Sequence, residues 1–107
     1  MYNHIIFDIK TKNLDLDNVE SVFWQIVNLL NLTVLKKEKH IFENWGFTIF
    51  WIIAESHLSA HYRIEDDYLA VDIYSCRNLE NFEKRICEII GNLGEYHHLT
   101  KLYRNLD

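Results

Sequence analysis

The stretch GFTIFWIIAE (residues 46–55), SHLSAHYRI (56–64) and EDDYLAVDIYSC (65–76) decides the fold. Gly46 to Glu55, His57 to Ile64 and Tyr68 to Ser75 are rich in β-branched and aromatic residues over strand lengths, with the acidic turn Glu65-Asp66-Asp67 between the last two. Just upstream, Leu32 to Phe42 reads as a further strand, joined to the stretch by the turn Glu43-Asn44-Trp45-Gly46. Successive strands with short polar turns predict an antiparallel meander.

Working outward, His4 to Lys10 reads as the first strand, ending in Thr11-Lys12-Asn13. Asp17 with Glu20 three residues on predicts a helix start, and Val19, Val22, Phe23, Ile26, Val27 and Leu30 then recur on one helical face. Downstream, Asn78 is placed to cap a second helix with Leu79, Phe82, Ile86, Ile89, Ile90 and Leu93 inward, stopped by Gly91 or Gly94. A last strand is expected within Glu95 to Tyr103. Two helices on one face of an antiparallel sheet make a two-layer α+β sandwich, which leaves the other sheet face free for a ligand or a partner subunit.

A chain of 107 residues with no proline, three glycines and no low-complexity run is expected to be a single domain, 1–107, without a linker. Hydrophobic residues at 49% against 25% charged suffice for a packed core. The formal charge of -5 argues against nucleic acid, which needs clustered positive charge. Met1 to Asp8 lacks the basic start of a signal peptide, and the apolar run Phe47 to Ala54 is far short of a membrane helix of ~20 residues. Cys76 and Cys87 fit no metal spacing, and two cysteines suit a reducing compartment, so a cytoplasmic protein without a membrane partner is expected.

The densest polar cluster is Ala54-Glu55-Ser56-His57-Leu58-Ser59-Ala60-His61, set between apolar strands, with Cys76 following. Serine, histidine, glutamate and cysteine are the types from which nucleophiles and proton shuttles are built. A serine-hydrolase reading fails because no glycines flank Ser56 to make the sharp strand-to-helix elbow. Metal binding by His57 and His61 fails too, since four residues along a strand separate them by ~13 Å. His40, His97 and His98 offer nothing by spacing alone.

Gly46-Phe47-Thr48, then Glu55-Ser56-His57-Leu58-Ser59-Ala60-His61, then Glu65, then Tyr68-Leu69-Ala70-Val71-Asp72-Ile73-Tyr74-Ser75-Cys76 closely resemble the small prokaryotic S-adenosylmethionine decarboxylases. Members of that family read roughly G-V-S, E-S-H-x-(S/T)-I-H-T-W-P-E and Y-A-A-V-D-x-(F/Y)-T-C, and the likeness runs over about residues 40–76 without a gap, with His4 and Asp8 adding weaker support. The resemblance implies self-cleavage between Glu55 and Ser56 into chains 1–55 and 56–107. Ser56 Oγ attacks the Glu55 carbonyl, and the resulting ester eliminates and hydrolyses to leave a pyruvoyl group where Ser56 stood. His61 would take the Ser56 α-proton, and Thr48, where the family usually has serine, would hydrogen-bond the tetrahedral intermediate.

The pyruvoyl cofactor then forms a Schiff base with the substrate amine and accepts the electrons released as carbon dioxide leaves. By resemblance Cys76 is the general acid of that step, Glu65 and Asp8 contact substrate, and Phe42 stacks on adenine. No metal is implied. The product would be the aminopropyl donor of polyamine (spermidine) synthesis.

Strand geometry adds a partner. At ~3.3 Å per residue Thr48 lies ~26 Å along the chain from Ser56, whereas a turn near Ser56 brings Thr48 and His61 together across the hairpin. Thr48, His61 and Glu65 of one subunit should then serve Ser56 and Cys76 of another, a homodimer with shared sites. The chain departs from the family pattern at Tyr62-Arg63-Ile64, where Thr-Trp-Pro is usual, and at Asp66-Asp67. Extra carboxylates beside the pocket suit a basic amino acid such as ornithine or arginine as the alternative substrate. An uncleaved, non-catalytic binding paralogue is the alternative from another class.

Overall fold

Alternation along the strands sets the two faces of the sheet. In β1 (His4–Lys10) Ile5, Phe7 and Ile9 are fully buried, and in β3 (Gly46–Ile53) Phe47, Ile49, Trp51 and Ile53 are buried. The same face takes Leu58, Ala60 and Tyr62 of β4 (Ser56–Arg63) and Leu69, Val71 and Ile73 of β5 (Tyr68–Tyr74). Successive strand residues point to opposite faces, so these positions form one continuous apolar layer. The structure is a computed structural model that describes residues 1–105.

Helix α1 (Leu16–Leu30) and helix α2 (Glu83–Ile90), the latter entered through a 3-10 turn at Glu80–Phe82, cover that layer. All six stripe residues of α1 are buried, and Phe23 meets Trp51 edge to face at 5.3 Å. With β2 (Val34–Phe42) and β6 (Glu95–Leu102) the sheet runs β2-β3-β4-β5-β1-β6, every neighbouring pair antiparallel. This is the two-layer α+β arrangement expected from the sequence. No helix among the described residues is long and apolar enough to cross a membrane.

Several boundaries differ from expectation for local reasons. Helix α1 starts earlier, because Asp15 rather than Asp17 is the cap, its Oδ1 accepting from Asp17 N at 3.0 Å. It ends at Asn31 in the left-handed region, with Leu32 N donating to Val27 O at 2.9 Å, so β2 begins at Val34 and not at Leu32. Asn78 does not cap α2, which starts after Phe82 without a side-chain cap; its Oδ1 accepts from Tyr2 N and Glu80 N just ahead of the 3-10 turn. Glu55 belongs to the turn between β3 and β4, with φ 61°.

Gly46 fixes the register at the other end of the β3–β4 hairpin. Its φ is 134°, and a Cβ there would lie 1.8 Å from the Tyr62 carbonyl oxygen, so only glycine lets β3 begin against Arg63. That register sets Thr48 opposite His61 and Ile53 opposite Ser56.

Candidate active site

The residues singled out in the sequence fall into two groups at opposite ends of β4. At the turn end, Ala54 and Glu55 link Ile53 to Ser56, and Ala54 N donates to Thr33 O at 3.0 Å. An L-residue with positive φ at the second central position of so tight a turn is strained, since glycine or asparagine normally stands there. Ser56 follows directly and is buried, its Oγ without a hydrogen-bond partner among the described residues. Cys76, just past β5, donates from Sγ to Glu55 Oε2 at 3.4 Å. Glu55, Ser56 and Cys76 are therefore together.

At the far end, Thr48 Oγ1 lies 3.0 Å from His61 Nδ1. Both side chains are on the face the helices leave open, in a row that runs across the sheet from Asp8 through Ala70 and His61 to Thr48. Asp8 is two strands from His61, about 10 Å, and accepts a hydrogen bond from the Tyr68 hydroxyl, which raises the pKa of that phenol. Phe42, Thr48, His61 and Glu65 line one cavity of about 600 Å³ together with Trp45, Arg63 and Asp66. Its size is that of a small-molecule pocket.

Thr48, His61, Glu65 and Phe42 thus share one end, Asp8 stands behind them, and Ser56 and Cys76 occupy the other. Ser56 and His61 are five residues apart on a strand that pairs without register shift on both sides, about 16 Å. Within one chain they do not meet.

Sequence reasoning missed several neighbours. Trp45 is 72% exposed at the rim of the cavity, its ring 21° from the plane of Phe42 with centroids 6.4 Å apart. Arg63 Nε pairs with Asp66 Oδ2 at 3.2 Å, and its guanidinium lies over Tyr68. On the open face near the turn, the His57 ring stacks between Phe50 and Tyr74, with His4 edge-on. Burial, and then the neighbouring His4, lower the pKa of His57. Phe50 on β3 and Tyr74 on β5, aromatics out of step with the buried positions of their strands, were the available signal for this cluster.

The sequence profile of S-adenosylmethionine decarboxylase matches residues 3–104. The S-adenosylmethionine decarboxylase proenzyme of Clostridium botulinum (strain Loch Maree / Type A3) is 32% identical over 94 residues, 84% of this chain and 81% of its own length. The proenzyme of that name from Thermococcus kodakarensis is 28% identical over 92 residues, 85% of this chain and 64% of its own. The crystal structure of the adenosylmethionine decarboxylase from Aquifex aeolicus superposes with a TM-score of 0.67 at 24% identity, covering 92% of this chain and 83% of that one. An open antiparallel sheet backed by two helices, with these relatives, defines a decarboxylase. The chain belongs to the S-adenosylmethionine decarboxylase family.

Proposed function

We propose that the chain cleaves itself between Glu55 and Ser56 and then, as a pyruvoyl enzyme, decarboxylates S-adenosylmethionine in the cytoplasm to make the aminopropyl donor of polyamine synthesis. The observation that carries this is the turn itself: a buried serine hydroxyl with no partner among the described residues follows a glutamate held at φ 61°. Ser56 Oγ attacks the Glu55 carbonyl carbon and the amide becomes an ester. Loss of the Ser56 α-proton expels the Glu55 carboxylate, and hydrolysis of the resulting dehydroalanine releases ammonia and leaves the pyruvoyl group. The products are chains 1–55 and 56–107, parts of what was one domain.

The Thr48–His61 pair suits the proton work. With Nδ1–H donated to Thr48 Oγ1, the threonine keeps its own proton to offer an oxyanion, and His61 Nε2 keeps a lone pair for the α-proton. Since the two groups of one chain are about 16 Å apart along β4, Thr48 and His61 come from a second copy, and the enzyme is a homodimer with two shared sites. The pyruvoyl group supplies the electron-accepting carbonyl for loss of carbon dioxide. Ser56 fits its formation, and the contact of Cys76 Sγ with Glu55 supports the reading of Cys76 as the acid that would protonate the substrate α-carbon.

Substrate choice rests on the cavity. Asp66 is engaged by Arg63, which leaves it less free for the second cation of ornithine or arginine, while Phe42 and Trp45 offer aromatic surface to a nucleoside. Glu65 lines the same cavity and would be the acceptor for the ribose hydroxyls. The test is the denatured intact mass of the purified protein, followed by carbon dioxide release from S-adenosylmethionine, ornithine and arginine in parallel. Two fragments and release from S-adenosylmethionine alone are expected. A chain that stays whole on long incubation overturns the pyruvoyl reading, and release from a basic amino acid overturns the substrate.

A further inference from the structure

Cutting the chain before Ser56 turns the most reactive residue into a chain end, and chain ends fray unless they are tied down. Among the described residues Ser56 pairs only with Ile53 on β3, and β5 offers it no partner. His57 is the first β4 residue flanked on both sides, by Ile52 and by Tyr74. Its ring lies 5.3 Å and 19° from Phe50, and 5.4 Å and 26° from Tyr74. His4 closes the group edge-on, at 6.4 Å from His57 and 5.7 Å from Tyr74.

We infer that His57 is a positioning residue whose stacked ring holds the newly made terminus in place after cleavage. Phe50 and His4 belong to the fragment before the cut, His57 and Tyr74 to the fragment after it, so the stack joins the two across the seam that cleavage opens. The atom that must meet the substrate amine is one residue from this anchor. Misplacing a reacting group by about 1 Å can cost about 100-fold in rate, so the anchor acts on turnover and leaves the chemistry of the ketone unchanged. Burial lowers the pKa of His57, consistent with a ring that stacks in its neutral form.

This rests on the reading of Ser56 as the source of the pyruvoyl group, which the intact mass of the wild type tests separately. The experiment compares wild type, His57→Ala and His57→Phe for cleavage, for trapping of the ketone by methylamine with cyanoborohydride, and for kcat and KM. Expected is that His57→Ala still cleaves and still traps methylamine, that its kcat falls about 100-fold with KM little changed, and that His57→Phe recovers most of the loss. Three results each overturn the inference: an unchanged kcat in His57→Ala, a His57→Phe enzyme as impaired as His57→Ala, or a His57→Ala chain that no longer cleaves. Should His57→Ala fail to fold, Phe50→Leu, which removes one plate at an edge of the stack, is expected to give the same split between kcat and trapping, and full turnover there overturns the inference as well.

Discussion

The turn end and the far end of the β3–β4 hairpin hold their polar groups in opposite ways. At the turn, Ser56 is buried with its hydroxyl unmatched, beside a glutamate in a strained backbone conformation. At the far end, Thr48 and His61 satisfy each other beside an open cavity of about 600 Å³. An unmatched buried hydroxyl is a cost, and strain is another. A satisfied pair facing open space carries neither. In the proposed function this contrast divides the work: the turn end would react with its own backbone, and the far end would receive a substrate or the turn of a second copy.

The sharpest way to break this comparison is Ser56→Ala, which is expected to leave a single unbroken chain and abolish decarboxylation, read by denatured mass and carbon dioxide release. Next in size, Cys76→Ala is expected to cleave and yet lose about 10²-fold or more in kcat, as for removal of a general acid. Normal turnover there would detach Cys76 from the turn end's chemistry.

Mixing Ser56→Ala with His61→Ala subunits tests whether the two ends meet between copies. Each variant alone is inert, and random pairing of the two should restore about a quarter of the wild-type activity, with only the His61→Ala chain cleaved. An inert mixture in which exchanged dimers are shown to form would confine each site to one chain.

The smallest effect is a control remote from both ends. Tyr2 donates to Glu83 Oε1, and Lys101 Nζ lies 3.0 Å from the same oxygen. The tyrosine hydrogen bond first, and then Lys101, hold the Glu83 carboxyl below its ordinary value. A depressed carboxylate stabilises the fold above its unfolded-state pKa, and the benefit fades as pH falls through the folded value. Tyr2→Phe should therefore cost about 1 kcal/mol near neutral pH, with the gap to wild type in thermal midpoint narrowing below about pH 4 and turnover unchanged.

Much of this frame was legible in the sequence. The strand limits of β1 and the six inward residues of α1 follow from local periodicity and stand as expected. The meeting of Thr48 and His61 was legible as well, because a hairpin register depends on a short stretch of chain. Less legible were features set by competing short-range bonds, such as Asp15 taking the cap from Asp17 and Leu32 being held by the end of α1. Contacts across distant strands were not legible at all. Asp8 meets Tyr68 only once β1 has paired with β5, and the stack of His57 on Phe50 and Tyr74 depends on side-chain rotamers that a strand pattern does not specify. The roles of Ser56 and Cys76 came from resemblance, not from periodicity.

The strand order carries a last consequence. Severing the chain before Ser56 would leave β1, β2 and β3 in one piece and β4, β5 and β6 in the other, yet three of the five seams in β2-β3-β4-β5-β1-β6 join strands from different pieces. β1 is threaded between β5 and β6, so neither piece keeps a whole sheet if the other departs. Folding before the cut is unimolecular, and recovery after it is bimolecular. Once denatured, a protein cut there should regain its shape more readily the more concentrated its halves are, while each uncut Ser56→Ala chain needs no second piece to refold its sheet.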